Sequence, residues 1–159
     1  MKKQYFGLAV LAVCALVFGA QVLHGQAAGS PEAVARTTFL TTITNASTGA
    51  FSSRSLITVN PDHTFVAVDS GQGGPGTQFS SQLGNWESGT GASIMARTWD
   101  FSLPQAGIAR VDYTINSVSA TQISGTITLT LFPLSANPLE AVGSPGGTFN
   151  FTGMKVSLP

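Results

Sequence analysis

The sequence has few charges, one cysteine and two histidines, and each shortage excludes a class of function. Seven basic and seven acidic side chains make up 9% of the 159 residues and cancel to a net charge of zero. A chain without a basic face does not neutralise a run of phosphates, so we expect no nucleic-acid partner, and no acidic or basic tail is present. The hydrophobic share of 43%, with ten Phe residues, is enough for the core of one folded domain.

One long hydrophobic run stands at the N-terminus, and its organisation predicts a secretory signal peptide with a helical apolar segment. Two lysines precede an apolar stretch over residues 6–20, and a short polar segment follows. A cationic start, an apolar segment of about 15 residues and small residues at a cleavage site form the signal-peptide pattern. We place the cleavage after Ala27. Residues 1–27 are then the signal peptide, and residues 28–159 form a secreted or periplasmic domain without a membrane partner.

Two other interpretations of the N-terminal run stay open. Apolar character continues to Leu23, as in an uncleaved anchor helix, although Gln21 interrupts it and about 20 apolar residues are needed to cross a bilayer. The segment ending in Cys14 has the outline of a lipoprotein lipidation site, although Val13 is bulky for that motif.

Cleavage after Ala27 would leave a domain with no cysteine, five basic and seven acidic side chains. The absence of cysteine excludes a disulfide, a thiol nucleophile and a cysteine zinc site. His63 would be the one remaining histidine, and it lies in a predicted turn. We therefore expect a solvated turn residue there, no histidine pair for a metal, no Ser-His-Asp triad and no cofactor.

Residues from 37 onward have the composition of an all-β domain, because Thr, Ser, Val, Ile and Phe dominate and turn signals recur at short intervals. Alternation is clearest over 122–132, where Ile127 and Leu129 share one face and threonines the other. Pro61 presets φ for a tight turn over 60–63. We predict a short helix at 31–36 and a bulge at Gly153. The predicted strands cover 36–44, 55–59, 64–70, 82–87, 93–103, 108–118, 122–132 and the chain from 149 onward.

About eight strands in succession without a crossover helix predict a single antiparallel, up-and-down β-barrel, with a two-sheet sandwich as the alternative. Eight strands enclose a space that side chains fill or that holds one small ligand. An outer-membrane barrel needs strands of about ten residues with aromatic girdles at both interfaces, whereas residues 28–159 contain two Trp and one Tyr.

The candidate site residues lie on neighbouring strands. Arg97 shares strand parity with an apolar row, so an inward-facing row would bury the guanidinium, and a buried charge needs a partner. Glu87 and Asp100 are its candidate partners. Three roles stay open for Arg97: stacking on a tryptophan at the barrel end, contacting a ligand in an aromatic pocket, or ordinary exposure. The predicted ligand-binding set is Trp86, Met95, Arg97, Trp99, Phe101 and Tyr113.

Gly84-Asn85-Trp86 has the form of the lipocalin signature G-x-W. Taken over residues 55–153, the order of strands and turns resembles small secreted bacterial β-barrel proteins that are loosely similar to calycins and to allene-oxide-cyclase-type barrels. The resemblance implies a barrel that binds apolar small molecules, and some such barrels close rings on polyene substrates. Its motifs are turn and strand patterns, so it assigns no catalytic residue.

Three functions follow from these observations. The first is an exported barrel that binds a small apolar or amphipathic ligand. The second is a structural or surface-interaction module without catalysis, which would have a packed core and an exposed apolar patch or edge strand. The third is a cyclase or isomerase in which Arg97 or Tyr113 polarises the substrate. The sequence does not decide on enzymatic activity, although it favours a protein without it, and it does not indicate the oligomeric state.

Overall fold

The structure is a computed structural model that describes residues 31–72, 79–91, 93–102 and 106–157. The predicted signal peptide and its helix lie outside these ranges. Within the described part of the chain, no helix combines the length and the apolar character that a membrane span requires.

Eight antiparallel strands form a closed barrel in chain order, and the last strand pairs with the first. The prediction of a single all-β, up-and-down barrel is therefore confirmed, and the sandwich alternative is wrong. One short helix precedes the strands. The elements are α1 (Pro31–Val34), β1 (Thr37–Asn45), β2 (Phe51–Val59), β3 (Thr64–Asp69), β4 (Gln82–Ser88), β5 (Ile94–Ser102), β6 (Gly107–Val118), β7 (Gln122–Pro133) and β8 (Ser144–Lys155).

The predicted turn between β2 and β3 is confirmed by its hydrogen bonds. The Asn60 N–H donates to the Thr64 carbonyl (3.0 Å), and the His63 N–H donates to the Asn60 carbonyl (3.2 Å). The Asp62 carboxylate accepts from both the N–H and the hydroxyl of Thr64. Aspartate suits this turn because its short side chain bonds the backbone two residues on.

We call the end of the barrel that carries this turn the closed end. Trp86 points inward there, donates its Nε1–H to the Asn60 carbonyl (2.7 Å) and stacks on the His63 ring with centroids 4.6 Å apart. Val34 of α1 is fully buried in the same hydrophobic core. His63 is therefore a structural turn residue, and the tryptophan of the G-x-W motif seals this end of the core.

Two strands begin earlier than the sequence predicts, and the predicted bulge at Gly153 is wrong. β2 begins at Phe51 and β8 at Ser144. The pairing of β8 with both neighbours runs through Gly153 without a shift. Glycine stands there because a Cβ would lie 2.7 Å from the side chain of Thr41, its paired residue on β1, and 3.0 Å from that of Ile123, its paired residue on β7. Met154 consequently faces outward and is 57% exposed.

Candidate functional site

The half of the barrel opposite the closed end contains a cavity of about 410 Å³, partly open to solvent. We call this half the open end; it comprises the last residues of β1, β3, β5 and β7 and the first of β2, β4, β6 and β8. The apolar wall includes Ile43, Val111, Ile127, Leu129, Leu131 and Phe149. The polar lining includes Ser52, Ser53, Asp69, Gln82, Asp100 and Ser102.

The cavity exists because the inward-facing side chains become small or polar toward the open end. On β5 the inward row runs from Ile94 and Ala96 to Thr98, Asp100 and Ser102. On β6 the same level is occupied by Ala109 and Val111. Tyr113 forms the floor of the cavity, and its ring packs against two others below it: the ring centroid of Phe65 lies 4.9 Å away and that of Phe151 lies 6.2 Å away.

A buried hydrogen-bond network fixes the polar groups nearest this floor. The Tyr113 hydroxyl donates to Gln82 Oε1 (2.5 Å), and the Thr98 hydroxyl lies 3.3 Å from the same oxygen. Burial raises the pKa of Tyr113 far above its usual value, and the negative charges of Asp69 and Asp100 raise it further. Tyr113 is therefore a neutral phenol whose single proton is committed to Gln82.

Asp69, at the end of β3, has its two carboxylate oxygens occupied. Ser53 donates its hydroxyl to Oδ2 (2.8 Å), and the Gly71 N–H donates to Oδ1 (2.7 Å). The side-chain oxygen of Gln72 in turn accepts the Asp69 N–H (2.9 Å). These contacts fix the position of the Asp69 side chain at the rim of the cavity.

Asp100 also lines the cavity, but its surroundings differ from those of Asp69. It is 4% exposed, and its paired residue on β6 is Ala109, which has no polar side chain. Among the described residues, no group donates a hydrogen bond to its carboxyl. Burial alone raises its pKa from 3.8 to about 6, because an ionised carboxyl without partners loses hydration in an apolar site.

The structure corrects the predicted site on β5. Inward positions belong to the even-numbered residues of this strand, so four of the predicted lining residues lie on the outer face of the barrel: Met95, Arg97, Trp99 and Phe101. The odd-numbered row was predicted to face inward because it is apolar and aromatic around Arg97, but the even-numbered row is the buried one.

Arg97 belongs to an ion-pair network on the outer face. Its Nε lies 2.6 Å from Asp112 Oδ1, and Arg110 Nε lies 3.0 Å from the other oxygen of the same carboxylate. The Arg110 guanidinium also lies 5.7 Å from the centre of the Phe132 ring, against which Trp99 packs. Neither Glu87 nor Asp100 is the partner of Arg97, and this network does not face the cavity.

Of the six predicted site residues, Trp86 and Tyr113 do face the interior. Tyr113 lines the cavity, whereas Trp86 lies at the closed end, away from it. Asp69, Gln82 and Asp100 line the cavity but are not in the predicted ligand-binding set. A signal for Asp100 was present, since the even-numbered row of β5 ends in Thr98, Asp100 and Ser102, a polar series on one face of a strand.

Among the described residues, no group of three or more His, Cys, Asp or Glu side chains is arranged to hold a metal ion. The cavity therefore offers apolar walls, one partnered carboxylate and one buried carboxyl without a hydrogen-bond donor.

Comparison with protein families, with curated proteins and with solved structures finds no match to this chain.

Proposed function

We propose that this barrel binds a small amphipathic molecule in the cavity of its open end. The observation that carries the proposal is the division of the interior into a packed core at the closed end and a cavity of about 410 Å³ with mostly apolar walls at the open end. Ligand sites in proteins are typically about 300–1,000 Å³, mostly apolar, with a few polar groups that fix orientation. The cavity has this composition.

The closed barrel favours a preformed site. Every strand pairs with two neighbours, so the wall that carries the cavity lining is held by backbone hydrogen bonds on both sides. A ligand then does not have to order the wall, and association costs less conformational entropy. The polar groups at the floor are fixed as well, because Gln82 joins two strands through Tyr113 and Thr98.

The test is a binding titration with octanol, a neutral amphiphile, followed by calorimetry on the purified protein and on the Ala109→Phe variant. Ala109 lines the cavity directly opposite Asp100, so a phenyl ring there fills the space that a ligand would take. The matched control is Ala141→Phe, on the exposed connection between β7 and β8.

We expect octanol to bind the unchanged protein and the Ala141→Phe control alike, and to bind Ala109→Phe at least about tenfold more weakly. Thermal unfolding recorded for each variant shows whether it is folded. Equal binding by all three proteins, or no binding by any of them, would overturn the proposal.

A structural or surface-interaction module is the second candidate, and a separate observation favours it. Four large apolar side chains, each more than 40% exposed, occupy directly paired outward positions on neighbouring strands: Met154, Leu40, Leu56 and Val68. Exposed apolar patches of this kind mark interaction surfaces in many proteins. In this alternative the cavity has no role, so the Ala109→Phe titration separates the two candidates.

The cyclase or isomerase alternative has less support. Arg97, one of its two candidate polarising groups, faces outward and is paired with Asp112. The other, Tyr113, faces the cavity with its hydroxyl proton committed to Gln82. We therefore propose binding rather than catalysis.

A further inference from the structure

We propose that the cavity selects ligands in which an apolar body carries a protonated amine, and that Asp100 receives this amine. The inference rests on the proposed ligand-binding function and names the chemical class that the site takes. Three observations support it: the sign of charge inside the barrel, the state of the Asp100 carboxyl, and the apolar wall that faces it.

The charges that line the cavity are all of one sign. Asp69 and Asp100 are acidic, and no Lys, Arg or His is among the lining residues that the structure describes. The cations of the neighbouring strands point the other way: Arg54 contacts Thr42 on the outer face, and Arg97 and Arg110 are tied to Asp112. An anionic head group entering the cavity would meet two carboxylates and no counter-ion.

Of the two acidic side chains in this lining, only Asp100 accepts no hydrogen bond from the residues that the structure describes. An ionised carboxylate accepts up to about four hydrogen bonds, and the Asp100 oxygens, which accept none from the described residues, are accessible from the open cavity. Asp69 already accepts from Ser53 and Gly71. A ligand N–H donor with a positive charge would supply both the missing donor and the missing counter-ion at Asp100, as a charge-assisted hydrogen bond.

The wall around Asp100 defines the rest of the ligand. Ala109 stands opposite it on β6, and Leu131 is paired with Ala109 on β7, so apolar surface continues from the carboxyl across two strands. A short alkyl chain or a ring next to the amine can bury itself against this surface. A small, fully polar cation such as ammonium would not use it.

The experiment compares three probes of the same chain length at pH 7.5: octylamine, octanol and octanoate. We expect octylamine to bind the unchanged protein about tenfold or more tightly than octanol, and octanoate to bind more weakly than octanol. This comparison needs no variant, so it stands even if a substitution at Asp100 impairs folding.

The second arm uses Asp100→Asn, which keeps the shape of the side chain and removes its charge. We expect octylamine to lose its advantage in this variant, so that it and octanol bind within about twofold of each other. The control is Glu87→Gln, which removes an exposed carboxylate from the outer face of β4 and should leave the advantage intact.

The outcomes separate the inference from the function on which it rests. If octanol binds in the cavity, as judged by its loss in Ala109→Phe, but octylamine binds no more tightly, the amine selectivity is refuted and the ligand-binding function stands. If octylamine keeps its advantage in Asp100→Asn, the assignment of Asp100 is refuted. If no probe binds, both proposals are overturned.

Discussion

Replacing Asp100 by Asn is expected to stabilise the folded protein at neutral pH, because the carboxyl is held in a place that opposes its ionisation. Its pKa is about 6 in the folded protein and 3.8 in an exposed aspartate. At about 1.36 kcal/mol per pKa unit, this difference corresponds to about 3 kcal/mol. Water in the open cavity screens part of the charge, so we expect a gain of about 1–2 kcal/mol in the free energy of unfolding.

The sign follows from proton linkage. Between pH 3.8 and about 6 the folded protein keeps the Asp100 proton while the unfolded chain releases it, so stability falls as the pH rises through this window. Above about 6 the penalty is complete, and well below 3.8 it is absent. The difference between Asp100→Asn and the unchanged protein should therefore be small near pH 3 and reach its plateau above pH 6.

Urea unfolding at pH 3, 5 and 7.5 measures this difference, with Glu87→Gln as the control for removing one negative charge from the exposed outer face. The reasoning is refuted if Asp100→Asn destabilises the protein at pH 7.5, or if its effect does not change with pH. The first result would mean that the carboxylate has a stabilising partner in the fold, and the second that folding does not raise its pKa.

Three further outcomes follow from the structure. Arg97→Met should lower the free energy of unfolding by less than about 1 kcal/mol and leave probe binding unchanged, since the exposed ion pair faces away from the cavity; urea unfolding and calorimetry check this. Gly125→Ala should destabilise the barrel by about 3 kcal/mol or more in the same unfolding assay, because a Cβ there would lie 2.0 Å from a backbone oxygen of β6. Octylamine binding should weaken between pH 8 and pH 5 as Asp100 takes up its proton, whereas octanol binding should not. The other titratable groups that face the cavity are Asp69 and Tyr113. Calorimetry across this pH range tests the contrast between the two probes.

The barrel could be predicted from the sequence because apolar and polar residues alternate along most strands, and the strands of the structure keep this alternation between the inner and outer faces. On β7, Ile127 and Leu129 face inward and the intervening threonine outward, as their alternation predicts. On β6 the same alternation places Val111 in the interior and Arg110 on the outer face. These strands have one apolar face and one polar face, so only one register buries the apolar side chains.

The inner face of β5 was predicted wrongly because both faces carry apolar residues, with Ile94 and Ala96 on the inner face and an apolar, aromatic row on the outer one. The bulkier face, with Trp99 and Phe101, faces outward, and Trp99 packs against Phe132 beside Arg110 instead of entering the core. A shift of one residue inverts every side chain of a strand, and bulk alone does not identify the inner face. The four misplaced site residues share this single cause.

The beginning of β2 shows why a cavity is difficult to recognise in a sequence. The predicted strand begins only at residue 55, yet residues 51–54 form part of β2, with Ser53 lining the cavity. Where the interior holds space for a ligand rather than packed side chains, small and polar residues face inward and the hydrophobic alternation weakens. The first residues of β2 therefore carry no strand signal, although they form part of the site.

Native mass spectrometry on the protein purified from its own host tests the central claim most directly. The protein is measured before organic extraction and after it, and the extracted protein is then incubated with octylamine. We predict a small-molecule adduct that extraction removes, and an octylamine adduct that the unchanged protein and Ala141→Phe retain but Ala109→Phe does not. Two results would contradict ligand binding in the cavity. One is the absence of any adduct, both before extraction and after incubation with octylamine. The other is an octylamine adduct that Ala109→Phe retains equally.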